Sequence, residues 1–320
     1  MSMKALEHYL KPLMPFLNAD GVTEICINRP KELFIEKQGQ FIRHVVSELE
    51  YPFLQSLAAL VAEFNNEKYP APLISGSLPS GERIQFVLPP VSEKGKIVCS
   101  IRRHQIRNMS LADHFEQGVF FNFTDLKKDT GKESLLRAYF NQQDNYRFIE
   151  MAVKHRKNIL ISGGTGTGKT TFLNACLKSV PSHERLITIE DTREVKVEQS
   201  NAAHLLFNED EKELSALNVF KSCLRLRPDR ILLSELRGAE VWPFLRAANS
   251  GHPGSLSTVH ADTPEGAISQ LVFMMQQAGS TSTEEQLRNY IKSTIHVVIQ
   301  LRRHPDPKRF MRVEEIWFGK

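Results

Sequence analysis

Apolar positions recur along the chain with two periods, and the switch between them divides it. Leu6, Tyr9, Leu10, Leu13, Met14 and Leu17 fall at helical spacing, and Pro12 and Pro15 are placed to shorten or kink that helix. Its polar face carries few basic residues, which favours packing on its own domain over a membrane surface. Residues 22–46 read as strands: Val22 to Ile27 alternates, Asn28-Arg29-Pro30 turns, Leu33-Phe34-Ile35 continues, and Gln38-Gly39 turns again. Pro52 suits a first helical turn, after which Phe53, Leu54, Leu57, Ala58 and Val61 form one apolar helix face. Strands follow at 83–88 and 96–102. These elements predict a small α+β domain over residues 1–111.

Residues 112–145 break the pattern. They are rich in charge, Asn and Gln, as in the run from Asp125 to Glu133, and predict a linker with one or two short helices. From 146 to 320 the two periods alternate. Strands are expected at 158–162, 185–189, 230–234, 255–259 and 296–301, and helices at 169–179, 215–226, 239–249, 264–278 and 283–293. Such alternation predicts an α/β fold with a mostly parallel sheet and helices on both faces. A last strand, 309–318, is placed to pair antiparallel through a turn near Pro305-Asp306-Pro307.

Composition changes this picture little. The 320 residues are 41% hydrophobic and 24% charged, with a net charge of +4, ordinary for a soluble globular chain of roughly two domains. The charge is too modest to point to nucleic acid by itself. Cys26, Cys99, Cys176 and Cys223 are scattered without a CxxC pair, which argues against zinc and against a disulfide framework and for reduced thiols. No apolar run approaches the roughly 18 residues of a membrane span. Glu7, His8 and Lys11 interrupt any signal-peptide order. The expectation is a cytoplasmic protein whose membrane contact is peripheral or through a partner.

The chemistry centres on Gly163-Gly164-Thr165-Gly166-Thr167-Gly168-Lys169-Thr170, a full GxxxxGK[ST] motif between an apolar strand and a helix, with Thr171 next in that helix. Its glycines let successive backbone N–H groups point into one concavity, where the helix N-terminus adds its positive dipole end. Lys169 is expected to reach the β and γ phosphates of ATP, and Thr170 to offer its hydroxyl to Mg²⁺. The strand ending Leu233-Ser234-Glu235 would put Glu235 at the ligand-binding edge. There it would hold Mg²⁺ through water or position the attacking water. Ser234 stands where many P-loop enzymes carry a metal-binding Asp. Ile187-Thr188-Ile189-Glu190-Asp191-Thr192-Arg193-Glu194 is a second strand ending in carboxylates, a source of a base for in-line attack. His252 and His260 bracket one short strand behind Gly251 and Gly254, and read as sensors of the γ phosphate rather than metal ligands, since no third ligand is placed near them. Arginines able to reach that phosphate are Arg83, Arg102 and Arg103 in the first domain and Arg225, Arg227, Arg230 and Arg237 in the second.

The order of these four motifs, Walker A loop, acidic box, Walker B strand and histidine box, resembles the traffic ATPases of bacterial type IV secretion, within the type II/type IV secretion ATPase superfamily. Val22-Thr23-Glu24-Ile25, Leu78-Pro79-Ser80-Gly81-Glu82-Arg83 and Ser100-Ile101-Arg102-Arg103 extend the resemblance to the first domain. The resemblance implies a RecA-like P-loop domain and a homo-hexameric ring with ATP between the two domains. It implies docking at the cytoplasmic face of the inner membrane, on components of a type IV secretion or conjugation apparatus. By position, Glu194 matches the general base and Glu235 the Walker B glutamate. His252 and His260 match the histidine box, and Arg102 or Arg103 an arginine that reaches the nucleotide. Glu190 and His252 are counted among the nucleotide-binding residues, and Lys169, Glu194, Glu235 and His260 among the catalytic ones. The four-cysteine zinc module of pilus-assembly relatives is missing, which shifts weight toward the secretion class. A pilus-retraction ATPase and a RecA-like nucleic-acid translocase are the alternatives. Against the translocase, no aromatic residues interleave with a basic groove, and no sequence-specific nucleic-acid binding is expected.

Overall fold

The protein is described by a computed structural model covering residues 2–103, 110–116, 131–306 and 308–319. α1 (Ser2–Leu10) passes through a 3₁₀ turn at Lys11–Leu13 into α2 (Met14–Leu17). Pro12 and Pro15 each stand in the first turn of the segment they open, where a missing N–H costs nothing. The predicted helix is therefore divided rather than bent.

Six strands form the first sheet: β1 (Val22–Ile27), β2 (Glu32–Lys37), β3 (Gln40–Val45), β4 (Leu73–Ser77), β5 (Arg83–Val87) and β6 (Val98–Arg102). Their order is β3-β2-β1-β6-β5-β4, antiparallel at every pairing. α3 (Tyr51–Phe64) buries Leu54, Leu57, Ala58, Val61 and Ala62 in a core that also holds Leu6, Leu13, Ile25 and Phe86. β4 was not expected, because Leu-Ile-Ser-Gly-Ser is short and carries a glycine, both of which weaken a strand signal.

α4 (Leu111–Glu116), α5 (Lys132–Asn141) and α6 (Asn145–Lys154) follow. Residues 117–130 of the expected linker lie outside the described residues. α5 and α6 lie on the second sheet, where the rings of Phe140, Phe148 and Phe318 meet at 5.1–5.6 Å between centroids.

That sheet has seven strands: β7 (Ile159–Gly163), β8 (Leu186–Glu190), β9 (Ala202–Leu206), β10 (Arg230–Leu233), β11 (Leu256–Val259), β12 (Val297–Arg303) and β13 (Met311–Phe318). The order is β13-β12-β7-β11-β10-β8-β9. All neighbours are parallel except β12 and β13, so the antiparallel last strand is as expected, although Pro307 of the expected turn lies outside the described residues. The central parallel strands are buried on both faces, and β7 and β10 read as near-continuous apolar runs. β9 escaped the sequence because its alternate residues are only half-buried. α7 (Lys169–Leu177), α8 (Ala216–Cys223), α9 (Val241–Asn249), α10 (Pro264–Gln277) and α11 (Glu284–Thr294) cover the faces. Thr263 caps α10, and Thr283 with Gln286 forms a capping box on α11.

The two sheets share a core. Val87, Val91 and Val98 pack with Leu205, Val219 and Phe220. The Leu206 N–H donates to the Val91 carbonyl at 2.6 Å, and Ser92 bridges Leu205. Around this joint, Arg227 pairs with Glu36, its Nε 2.9 Å from Oε2. The buried Arg185 guanidinium donates to the amide oxygens of Asn28, at 2.7 Å, and Asn201.

Candidate active site

Parallel strands end at a common edge, and here they bring four distant stretches of chain together. One open cleft of about 400 Å³ is lined by residues 165–171, Asp191, Thr192, Glu194, Ser234, Glu235, Arg237, Thr258, His260 and Phe310. The loop after β7 holds Gly166 at φ +71° and Gly168 at φ +88°, a backbone open to glycine and strained for other residues. That turn starts α7 at Lys169 and aims its first N–H groups into the cleft.

Lys169 folds back on its own loop. Its Nζ donates to the carbonyls of Gly163 at 2.9 Å and Gly164 at 3.2 Å, and stands 3.2 Å from His260 Nδ1. Burial lowers its pKa, with Glu235 pulling the other way. Thr167 ties the loop through its hydroxyl to Gly164 O.

β11 lies between β7 and β10. His260, just past its end, therefore sits between the P-loop lysine and the Walker B carboxylate. His260 Nε2 is 2.9 Å from Glu235 Oε1, while the other Glu235 oxygen accepts from Arg237 Nη2 at 2.7 Å. Arg237 also reaches Asp191 Oδ2 at 2.7 Å. The hydrogen bond that Arg237 donates to Glu235 raises its pKa against the opposing effect of burial. The result is one chain of contacts, Lys169–His260–Glu235–Arg237–Asp191, across the mouth of the site.

The acidic box divides its labour. Glu190 is fully buried and does not line the cleft. Its Oε1 accepts from the N–H groups of Glu194 at 2.9 Å and Val195 at 2.7 Å, and its Oε2 accepts from the Thr188 hydroxyl at 2.8 Å and from Arg193. The nucleotide-binding role expected of Glu190 is thus replaced by that of a brace for the loop. Glu194, by contrast, is exposed and lines the cleft, its carbonyl clipped by Asn174 of α7. Thr188 spends its one hydroxyl proton on Glu190, so the 2.8 Å contact with His204 Nδ1 makes His204 the donor.

Two further expectations are not met within one chain. His252 precedes β11 and His260 follows it, so the strand's own length, at about 3.3 Å per residue, sets them at opposite edges of the sheet. His252 bonds the Pro228 carbonyl at 2.9 Å, away from the cleft, and is no phosphate sensor here. Neither Arg102 nor Arg103 lines the cleft. Arg103 is committed to the carbonyls of Ala19, at 2.6 Å, and Val22. Arg102 is exposed at the end of β6, beside Arg83 in register. Arg227 and Arg230 are also spent elsewhere, Arg230 on the buried Glu184. Of the arginines expected to reach the phosphate, Arg237 is the one that lines the cleft, and Phe310 is a further lining residue, not singled out in the sequence.

For Mg²⁺, Thr170 and Glu235 line the same cleft with hard oxygen donors, the set such an ion takes when phosphates and water complete its shell. Among the described residues no cluster of three or more His, Cys, Asp or Glu forms a metal cage, which an ion held mostly by phosphate does not require. No helix among the described residues is long and apolar enough to cross a membrane.

A glycine-rich loop opening a helix, with a lysine, a hydroxyl and a strand-end carboxylate gathered across one intervening strand, defines a P-loop nucleotide-binding α/β protein. Residues 7–315 match the family described as Type II/IV secretion system protein. The chain is 34% identical over 325 residues to the type IV secretion system protein VirB11 of Brucella suis, covering 98% of this chain and 90% of that protein. It is 36% identical over 314 residues to VirB11 of Bartonella quintana, covering 92% and 88%. The crystal structure of the Brucella suis VirB11 ATPase, solved in complex with sulphate, superposes with a TM-score of 0.93 at 33% identity, over 99% of this chain and 95% of that one. The chain belongs to the type II/IV secretion system protein family, and its fold is that of the VirB11 ATPase.

Proposed function

We propose that this chain hydrolyses ATP in a Mg²⁺-dependent reaction, as a subunit of a hexameric ring that powers a type IV secretion or conjugation apparatus from the cytoplasmic face of the inner membrane. The observation that carries the reading is the convergence of Lys169, Thr170, Glu194, Glu235 and His260 on one cleft at the carboxyl edge of the parallel sheet. In this reading the triphosphate lies on the N–H groups of residues 164–171, and Lys169 turns from its own loop carbonyls to the β and γ phosphates. Thr170 and Glu235 hold Mg²⁺, which offsets the phosphate charge when bound. Glu194 has the exposed carboxylate needed to orient water and take its proton. His260, between Lys169 and Glu235, responds to the γ phosphate.

Arg102 is exposed and outside the cleft of its own chain, which fits an arginine that completes the site of a neighbouring copy. The two domains, 1–111 and 146–320, would move against each other through 112–145 and pass that motion to membrane partners. Hydrolysis by the purified chain, measured against its own concentration with Mg²⁺, tests this. Specific activity should rise with concentration as sites complete on assembly. Lys169→Ala should lower turnover by about 1,000-fold or more, as loss of a preorganised charge at developing phosphate charge does. Normal turnover in Lys169→Ala would end the ATPase reading.

A further inference from the structure

The cleft has two flanks, and the order of strands distinguishes them. Glu194, Glu235 and His260 follow β8, β10 and β11, all on one side of β7. On the other side stand β12 and β13, whose facing ends, at Arg303, Phe310 and Met311, lean over the P-loop. A Cβ placed on Gly168 would stand 2.6 Å from Phe310 Cε1 and closer still to Met311 Cε, and one on Gly166 would stand 2.6 Å from Arg303 Nη2. The hairpin thus packs on bare glycine backbone at two points of the loop. Phe310 is 63% exposed although it lines the cleft. Among the described lining residues it is the one Phe, Tyr or Trp.

We propose that the β12–β13 hairpin is the nucleobase platform of the site, with Phe310 stacking a purine base and Arg303 as counter-charge beside the triphosphate. The proposal rests on the ATPase reading, since it assigns the other end of the same substrate. The γ phosphate is drawn to the flank that carries Lys169, Glu235 and His260. The nucleoside end must then leave the loop toward the opposite flank, where a flat apolar ring is already held by Gly168. Base–aromatic stacking needs such a face and little else. Arg303 has no ion-pair partner among the described residues, so its charge is available to an anion on Gly166.

The test compares ATP with inorganic tripolyphosphate, which has the phosphates and no base. Calorimetric binding of both to the full chain, with Mg²⁺, is set beside KM and kcat for ATP. Phe310→Ala should weaken ATP binding and raise KM about tenfold, with tripolyphosphate binding unchanged and kcat within about twofold; tenfold is the low end of what one stacked base contributes. Phe310→Trp should restore ATP binding. Arg303→Ala should weaken ATP and tripolyphosphate alike, by a few-fold. The platform is refuted if Phe310→Ala binds ATP as tightly as the parent chain. Equal losses for ATP and tripolyphosphate in that variant would also refute it, because they mean a deformed loop. A parent chain that binds both ligands but hydrolyses no ATP would defeat the ATPase reading alone, since the stacking result is read from binding.

Discussion

Two arginine–carboxylate clusters stand at opposite edges of the same parallel sheet. At the amino edge, Arg230 and Glu184 are 0% and 2% exposed, joined at 2.5 and 3.0 Å through two parallel bonds, with Arg230 also bonding the Val153 carbonyl. At the carboxyl edge, Arg237 is 58% exposed and divides itself between Glu235 and Asp191. The chemistry is the same and the solvent is not. A buried pair, once formed, cannot be exchanged for water without stranding a charge. An exposed one is worth about 1 kcal/mol or less and yields to a better ligand. The sheet therefore holds its shape from one edge and works at the other.

The contrast is broken most directly at Glu184. Glu184→Ala strands the Arg230 guanidinium and should cost roughly 3–5 kcal/mol of stability, measured by denaturant unfolding; a loss below about 1 kcal/mol would mean that the amino edge is as yielding as the other. At the carboxyl edge, Glu235→Gln should slow turnover by about 100-fold or more while ATP still binds in calorimetry. Loss of binding first would make Glu235 a ligand holder rather than a participant in the chemistry.

His204 sharpens the comparison, because it is polar and half-buried on the strand beside the acidic box. Burial, with Arg193 next, lowers its pKa to about 4 from 6.5. The unfolded chain takes up that proton near pH 6.5 and the folded chain near 4, so the unfolded state binds more protons between them. His204 thus contributes stability in full above about pH 6.5 and loses it as pH falls through 4, by on the order of 3 kcal/mol. His204→Gln should flatten that part of a stability–pH profile, and an unchanged profile would remove His204 as its source. The smallest effect belongs to Arg237→Ala. Its stability should stay within about 1 kcal/mol of the parent, while its ATP affinity rises, because the ion pair that occupies Glu235 is gone. Weaker ATP binding would make Arg237 a phosphate ligand rather than an occupant.

Much of this is legible in the sequence. The P-loop is a local motif, and each apolar run of the second half became a strand at the expected place because parallel strands are buried on both faces. The site was only partly legible. Glu190 and Glu194 are both carboxylates near one strand end; which of them braces the loop and which faces the cleft depends on backbone direction that spacing does not carry. His252 and His260 look paired in sequence because they are close in number, yet a strand between them drives them apart. The placement of His260 depends on β11 separating β7 from β10, a fact of sheet order and not of order along the chain. Phe310 went unnoticed because its neighbour Gly168 is far away in sequence.

The joint at Val91 and Ser92 has one more consequence. β9 ends the seven-stranded sheet, and a bare terminal strand offers a row of N–H and C=O groups on which any extended chain can lengthen the sheet. Here the bond from the Leu206 N–H to Val91 and the bridge from Ser92 to Leu205 occupy the end of that row from within. The first half of the chain thereby shields part of this edge of the second, leaving less of β9 open to an extended strand from another copy.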